Sequence, residues 1–424
     1  MQARLNATHT LILITVLCLT LSAHSGDLTI NAGLGYDLLS QEYFLDNLVP
    51  SGADSVLVEW SLTKDYLDDL KGQLWVKYRP FDDNRMELRA GYDQTAEFLR
   101  LRLTGDFSKR WHDRKVQVVG RVEVKDRYRG QTEFGDSYLR ASARSKFSAP
   151  LGSSTSITMQ LKGDGVRFQS VSTYNYNHFR IGGSIGLEKL FGDFSFADFK
   201  LTVDQRKVPD SLALDYLSLG AEATCLAFYR LGEIDIWAGL TQKNYNQPEH
   251  KDDHHRLVFQ ADHRIRISDR WFSRQLIETE LTLYHPDDPI NVSYSQTELA
   301  LLGGIESGPF SVAWGPVFEI LNERDNEYTA GEDYTEPGAR VVFDYMAPGR
   351  LFVSTESTTG RRNLTAESEL QSDFTFERLS LIGDLSFNSA LRLSLLFSGV
   401  WEWHEQSQEN SRLYLVSSNL TYEF

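Results

Sequence analysis

Basic side chains at alternate positions are the first feature of this 424-residue sequence that could do chemistry. Arg100 and Arg102, then Lys115, Arg121 and Lys125, then Arg140 and Arg144 recur with this spacing, and Lys77, Arg79, Arg85, Arg89 and Lys162 extend the series. The acids in step with them are mainly Glu59, Glu87 and Glu123. On an extended chain alternate residues share a face, so these cations would form one basic wall. Such a wall favours anions and biases passage by sign. The plainer reading is a polar surface neutralised by acids on neighbouring strands, with Asp262, Glu278, Glu280, Glu298 and Asp344 as the candidate partners.

Other chemistries are weaker. Gly182-Gly183-Ser184-Ile185-Gly186 matches the letters of G-x-S-x-G, but that motif works on a strand-to-helix elbow. Here it lies inside an alternating strand, so the match reads as accidental. His178 and His263 fall on strands or near their ends, with nothing to place them beside an acid and a serine. The runs Lys251-Asp252-Asp253-His254-His255 and His285-Pro286-Asp287-Asp288 offer oxygen and imidazole ligands that could suit a divalent cation. Their spacing follows no metal motif, and they read as solvated loop tips. No catalytic residue, metal or cofactor is expected.

The elements that must position the basic wall are strands. Period-two alternation returns from residue 27 to the end, as in Leu28-Ile30-Ala32-Leu34-Tyr36, Val116-Val118, Val122-Val124 and Leu391-Leu393-Leu395-Phe397, while helical spacing is almost absent. Connections alternate short and long. Phe387–Ala390, Tyr345–Arg350, Gly303–Pro309 and Tyr229–Glu233 are short; His404–Ser411, Ser357–Asp373, Asn322–Gly338 and Lys243–His255 are long and polar. That asymmetry is expected of a membrane β-barrel, with turns on one side and loops on the other.

Averages over the chain hide this pattern. A net charge of −16, 41% hydrophobic residues and a mean hydropathy of −0.36 suggest an acidic soluble protein. The acidity argues against a nucleic-acid binder. Residues 1–25 read as a secretory signal peptide, with Arg4 as the positive region, Leu11–Leu21 as the apolar region and Ala23-His24-Ser25 before the cleavage point. Cleavage would remove Cys18 and leave Cys225 without a disulfide partner. Residues 26–424 then form one barrel domain.

The last segment, Arg412 to Phe424, resembles the C-terminal signature of Gram-negative outer-membrane β-barrel proteins. Phe424 is the terminal aromatic, and Tyr422, Leu420 and Val416 are apolar at alternate positions before it. The resemblance implies recognition by the barrel-assembly machinery and pairing of the last strand with the first. The fold expected is all-β: a transmembrane antiparallel up-and-down barrel of about 20 strands, within roughly 16 to 22. An even count requires either that Arg85–Thr104 is one long irregular strand or that the first segment lies outside the barrel. The expected setting is the bacterial outer membrane, with lipid around the wall, long loops extracellular, and short turns and both termini periplasmic. The function expected is a passive or weakly selective channel for small solutes, anionic ones among them. A barrel hydrolase acting on lipid or peptide, and a structural or export barrel without an open pore, are the rivals.

Overall fold

A computed structural model describes residues 27–50, 56–79, 86–94, 98–127, 137–169, 176–192, 194–209, 211–246, 253–285, 291–324, 333–365, 372–405 and 410–423. The signal-peptide segment, Arg85, Asp252, Asp287, Asp288 and Phe424 lie outside these residues.

The alternating segments form strands. The first five are β1 (Asp27–Pro50), β2 (Val56–Arg79), β3 (Met86–Gln94), β4 (Phe98–Trp111) and β5 (Arg114–Arg127). Next come β6 (Tyr138–Pro150), β7 (Thr155–Phe168), β8 (His178–Leu190), β9 (Phe196–Lys207) and β10 (Tyr216–Tyr229). They are followed by β11 (Gly232–Tyr245), β12 (His254–Arg266), β13 (Trp271–Tyr284), β14 (Tyr294–Ser307) and β15 (Phe310–Glu323). The chain ends with β16 (Tyr334–Ala347), β17 (Leu351–Leu364), β18 (Phe374–Ser386), β19 (Leu391–His404) and β20 (Ser411–Glu423). Among the described residues the one helical element is a 3₁₀ turn, Leu212–Leu214.

Each strand pairs antiparallel with the next, and β20 pairs with β1 from Asn31 opposite Glu423 to Glu42 opposite Arg412. The twenty described strands therefore close into a ring without an edge, so no strand is left with an unpaired side. Two expectations about strand count need correction. Residues 85–104 do not make one irregular strand: β3 and β4 are separate antiparallel partners. The first segment is also part of the wall, since β1 pairs with both β2 and β20. The long connections are shorter than the sequence suggests, because β16 already starts at Tyr334 and β17 runs on to Leu364.

A repeated polar device finishes the loop end. The residue just before a descending strand accepts, through its side chain, the N–H of the last residues of the ascending strand. Asn177 does so for Phe168 at 2.8 Å, Asp215 for Val208 at 2.6 Å and Asp253 for Tyr245 at 2.6 Å. Asp333 serves Glu323 at 2.6 Å, Asp373 serves Leu364 at 2.8 Å and Asn410 serves His404 at 2.8 Å. The carbonyls of Asp215, Asp253, Asp333 and Asp373 accept the next hairpin's N–H groups, from Asn246, His285, Thr365 and Glu405. These four caps thus each tie two hairpins together where the sheet ladder runs out.

Asp215, outside the strands, is a buried cap. Desolvation opposes its charge, but the Val208 N–H and the Lys207 ammonium (2.9 Å) outweigh it and hold the carboxyl below its ordinary pKa. Asp215→Ala is expected to lower unfolding free energy by roughly 1–3 kcal/mol, the usual loss when a buried group loses a charged hydrogen-bond partner. Because the folded-state pKa is lowered, the contribution is complete above the ordinary carboxylate range and fades as pH falls through the folded value. Denaturant titrations of both proteins over that acid range check the size and the sign.

Candidate functional site

The two parities of each strand meet different surroundings. One carries exposed apolar residues in cross-strand contact, including Leu103, Val122, Leu139, Leu161, Ile181, Leu201 and Val203 on β4 to β9. Aromatic residues lie on the same outer face toward the turn end, among them Trp271 and Trp314 with ring centroids 6.4 Å apart. The other parity carries the charges. Its ion pairs reach over intervening strands: Arg264 to Glu306 at 2.7 Å, Arg340 to Glu298 at 2.8 Å and Arg378 to Glu336 at 2.8 Å. Side chains converge in this way on a concave face, so the charged parity lines the lumen.

The basic residues read from the sequence share this lumen face in the register. Arg102 stands opposite Glu123, and Glu123 opposite Arg140. Glu123 is the hub: Arg102 approaches it at 3.2 Å, Arg121 pairs with it, and the Tyr138 hydroxyl donates to it at 2.6 Å. Arg140 pairs with Asp164 at 3.4 Å. Arg100 and Lys125 lie over the Phe98 ring, 5.1 and 4.5 Å from its centroid. Arg144 is exposed and stands opposite Lys162. Lys115, also exposed, sits apart from the others at the turn end, opposite Arg110 and Ser148. Arg89 pairs with Glu87.

The partners proposed for this wall need correction. Asp262 binds Arg274 at 2.6 Å, Glu280 binds Arg256 at 2.6 Å and Glu298 binds Arg340 at 2.8 Å. Glu278 accepts from Gln260 at 2.8 Å, and Asp344 from Ser354 at 2.7 Å. These acids serve the C-terminal half of the ring, because a side chain reaches one or two strands and no further. The N-terminal wall is answered by Glu123, Asp164 and Asp204. Lys162 and Arg180 both hold Asp204, at 2.8 and 2.6 Å.

In the pairs built on Glu123, Asp204 and Glu336 the cations lie uppermost. Arg121 is 43% exposed against 4% for Glu123, Lys162 44% against 9% for Asp204, and Arg378 36% against 3% for Glu336. A carboxylate on a short stem lies against the wall, and a guanidinium or ammonium on a long stem covers it. Neutralised pairs therefore still present positive charge to the lumen. Elsewhere the order is level or reversed: Arg274 and Lys200 are about as open as Asp262 and Glu222, Glu306 is more open than Arg264, and Arg340 is covered while Glu298 and Glu356 stay more open.

One part of the lumen face escaped the sequence reading. Phe272, Ala300, Leu302, Ala313, Val317 and Val342 form a buried apolar cluster with Leu276 beside it. They share the parity of the charges, and the Arg264 guanidinium covers the Phe272 ring at 4.0 Å. Assigning every apolar alternate to lipid hid them. The caps Asn177, Asp253, Asp333 and Asp373 were also missed; their signal is an Asn or Asp directly before an aromatic or His.

Ser184 lies mid-strand in β8 with Gln160 and Thr202 as cross-strand neighbours, so no elbow forms. Asp253 is engaged as a cap, and the His254 ring packs against Tyr284 at 5.4 Å. Among the described residues no group of three His, Cys, Asp or Glu is arranged to hold a metal. Leu420 and Tyr422 are exposed on β20, on the outer parity.

No family model and no curated protein sequence matches this chain. Solved structures do. The siderophore receptor PirA from Pseudomonas aeruginosa is 11% identical, covers 92% of this chain and 80% of its own, and superposes with a TM-score of 0.50. PirA from Acinetobacter baumannii gives 7% identity, the same coverage and a TM-score of 0.51. A BenF-like porin from Pseudomonas fluorescens Pf-5 gives 10% identity, 94% and 99% coverage, and a TM-score of 0.47. At these identities the likeness is one of fold: this chain has the fold of Gram-negative outer-membrane β-barrel proteins.

The Lys162–Asp204 pair bridges over β8 at Gly182. A Cβ there would meet Lys162 Cε at 2.8 Å and the Val203 carbonyl at 2.9 Å. Gly182→Ala is expected to lower unfolding free energy by roughly 1–3 kcal/mol through overpacking. Part of that loss should vanish in a Lys162→Ala background, as a double-mutant cycle by denaturant titration reads; an unchanged stability of Gly182→Ala would contradict the packing described.

Proposed function

We propose that the protein is an outer-membrane channel for small solutes, with a preference for anions. The observation that carries this reading is the layered lumen face, in which carboxylates such as Glu123, Asp204 and Glu336 lie beneath exposed Arg and Lys side chains. A solute in the lumen meets the upper layer, and charge of one sign along a passage biases conductance. Ring size is consistent with conduction. Barrels of about 16 to 18 strands already leave an aqueous passage, and this one has twenty described strands. The apolar cluster around Phe272 and Leu302 occupies part of the same face.

The proposed orientation places the capped, loop-bearing end outside the cell and the tight turns toward the periplasm. Transport proceeds by diffusion, and no residue of the lumen is assigned a catalytic role. In this reading lipid covers the outer parity, and the barrel-assembly machinery reads the last strand through Leu420, Tyr422 and Phe424.

Planar-bilayer recordings of the folded protein test the reading. Open-channel current is expected, and Arg100→Glu with Arg102→Glu should reduce the anion-to-cation permeability ratio. Reversing a charge near the path changes interaction energies by about 1 kcal/mol in a watery lumen, or roughly fivefold in the ratio. Absence of current in both proteins would remove the channel reading, and an unchanged ratio would remove the role given to these two arginines.

A further inference from the structure

A cleft at the turn end shares Arg264, Glu306 and Phe272 with the lumen wall and adds the arginines of two turns. It sits between the β10–β11 and β12–β13 turns, encloses about 300 Å³ and is lined by Arg230, Arg264, Arg266 and Arg270. Arg264 is engaged by Glu306 at 2.7 Å and by the Phe272 ring. Among the described residues, Arg230, Arg266 and Arg270 have no carboxylate partner within ion-pair distance. Glu233, Asp269 and Glu306 also line the cleft, three carboxylates against four guanidinium groups, so cations remain in excess by one.

The cleft is held in shape by backbone contacts. The Arg266 N–H donates to the Leu231 carbonyl at 2.6 Å, and the Ile267 N–H to the Trp271 carbonyl at 2.8 Å. Ser268 Oγ accepts from the Trp271 N–H at 3.2 Å. Gly232 permits the closest approach: a Cβ there would stand 1.9 Å from the Arg264 carbonyl oxygen, so only glycine lets β11 lie this tightly against β12. Aromatic residues border it on the outer face. Trp271 meets Trp314 edge to face, and the Tyr229 hydroxyl meets His263 Nε2 at 2.5 Å. Tyrosine and tryptophan on an outer face mark the level of lipid headgroups.

We infer that this cleft is a phosphate-binding site, taking the phosphate of a glycerophospholipid headgroup or of a small solute at the lumen exit. Guanidinium forks match phosphate oxygens in pairs, whereas an ammonium offers a point charge. Three guanidinium groups without carboxylate partners, beside a headgroup-level aromatic border, supply both the charge and the position. The site does not depend on whether the lumen conducts, so it stands or falls separately from the channel reading.

The test uses the full folded protein in nanodiscs of phosphatidylethanolamine with a minority of phosphatidylglycerol. Native mass spectrometry counts retained lipid, and calorimetry with inorganic phosphate and glycerol 3-phosphate reads the soluble source. Wild type should retain phosphatidylglycerol or bind a soluble phosphate, and Arg230→Gln with Arg266→Gln and Arg270→Gln should weaken that binding about tenfold or more, the loss of at least one charged hydrogen bond. Arg110→Gln with Arg114→Gln, in the equally basic β4–β5 turn, should leave it unchanged. Retained lipid that soluble phosphate does not displace identifies the lipid as the source; calorimetric binding without lipid retention identifies the solute. If the triple variant does not fold, Arg270→Gln alone should weaken binding and Arg270→Lys should recover part of it. Equal binding by wild type and the arginine variants, or no binding of any of these probes to wild type, overturns the site.

Discussion

A backbone surrounded by lipid has no water to satisfy its N–H and C=O groups, and the rest of this structure depends on how that requirement is met. An open sheet would leave two unpaired edges in hydrocarbon. Pairing β1 with both β2 and β20 removes them. Once the ring is closed, parity has a fixed meaning: one set of alternate side chains meets lipid and the other meets the lumen. The loop-end caps extend the same requirement past the last ladder bonds, where Asp215, Asp253, Asp333 and Asp373 take N–H groups the sheet no longer serves.

The lumen gains its electrostatic character from side-chain length as well as from charge counts. Opposite charges on neighbouring strands must pair, because a bare charge against the wall is costly. Pairing alone would give a neutral surface. Asp204 and Glu123 are shorter than Lys162, Arg180 and Arg121, so the acids occupy the lower level and the cations the upper. Packing sets the order pair by pair: Arg340 is drawn down between Glu298 and Glu356, Arg264 lies lower than Glu306, and Arg274 and Lys200 stand level with their acids. Arg264 likewise lies over Phe272, at one member of the apolar cluster on this face.

Much of this was legible in the sequence, and what was not has identifiable causes. Alternation fixes strand and face, so Arg100, Arg102, Arg121 and Arg140 could be placed on one wall, and Leu420 and Tyr422 on the other parity. Partner choice was not legible, since it depends on which strands are adjacent: Glu280 serves Arg256 one strand away and cannot reach the N-terminal wall. A rule that sends every apolar alternate to lipid cannot find Phe272, Leu302 or Val342, which bury one another on the lumen parity, with Arg264 over the Phe272 ring. An aspartate ahead of an aromatic looks like ordinary loop composition until the ascending strand's end is placed beside it. Residues 85–104 read as one irregular strand because β3 is only nine residues long and its link to β4 carries no Gly or Pro.

The central claim is that the lumen presents cations to whatever enters it, even though the whole protein is acidic. The most direct measurement is the zero-current potential of unmodified protein in a planar bilayer under a potassium chloride gradient. Layered pairing predicts a potential of the sign set by chloride permeating faster than potassium. A potential of the opposite sign would show that the acids govern the path, and would contradict the account.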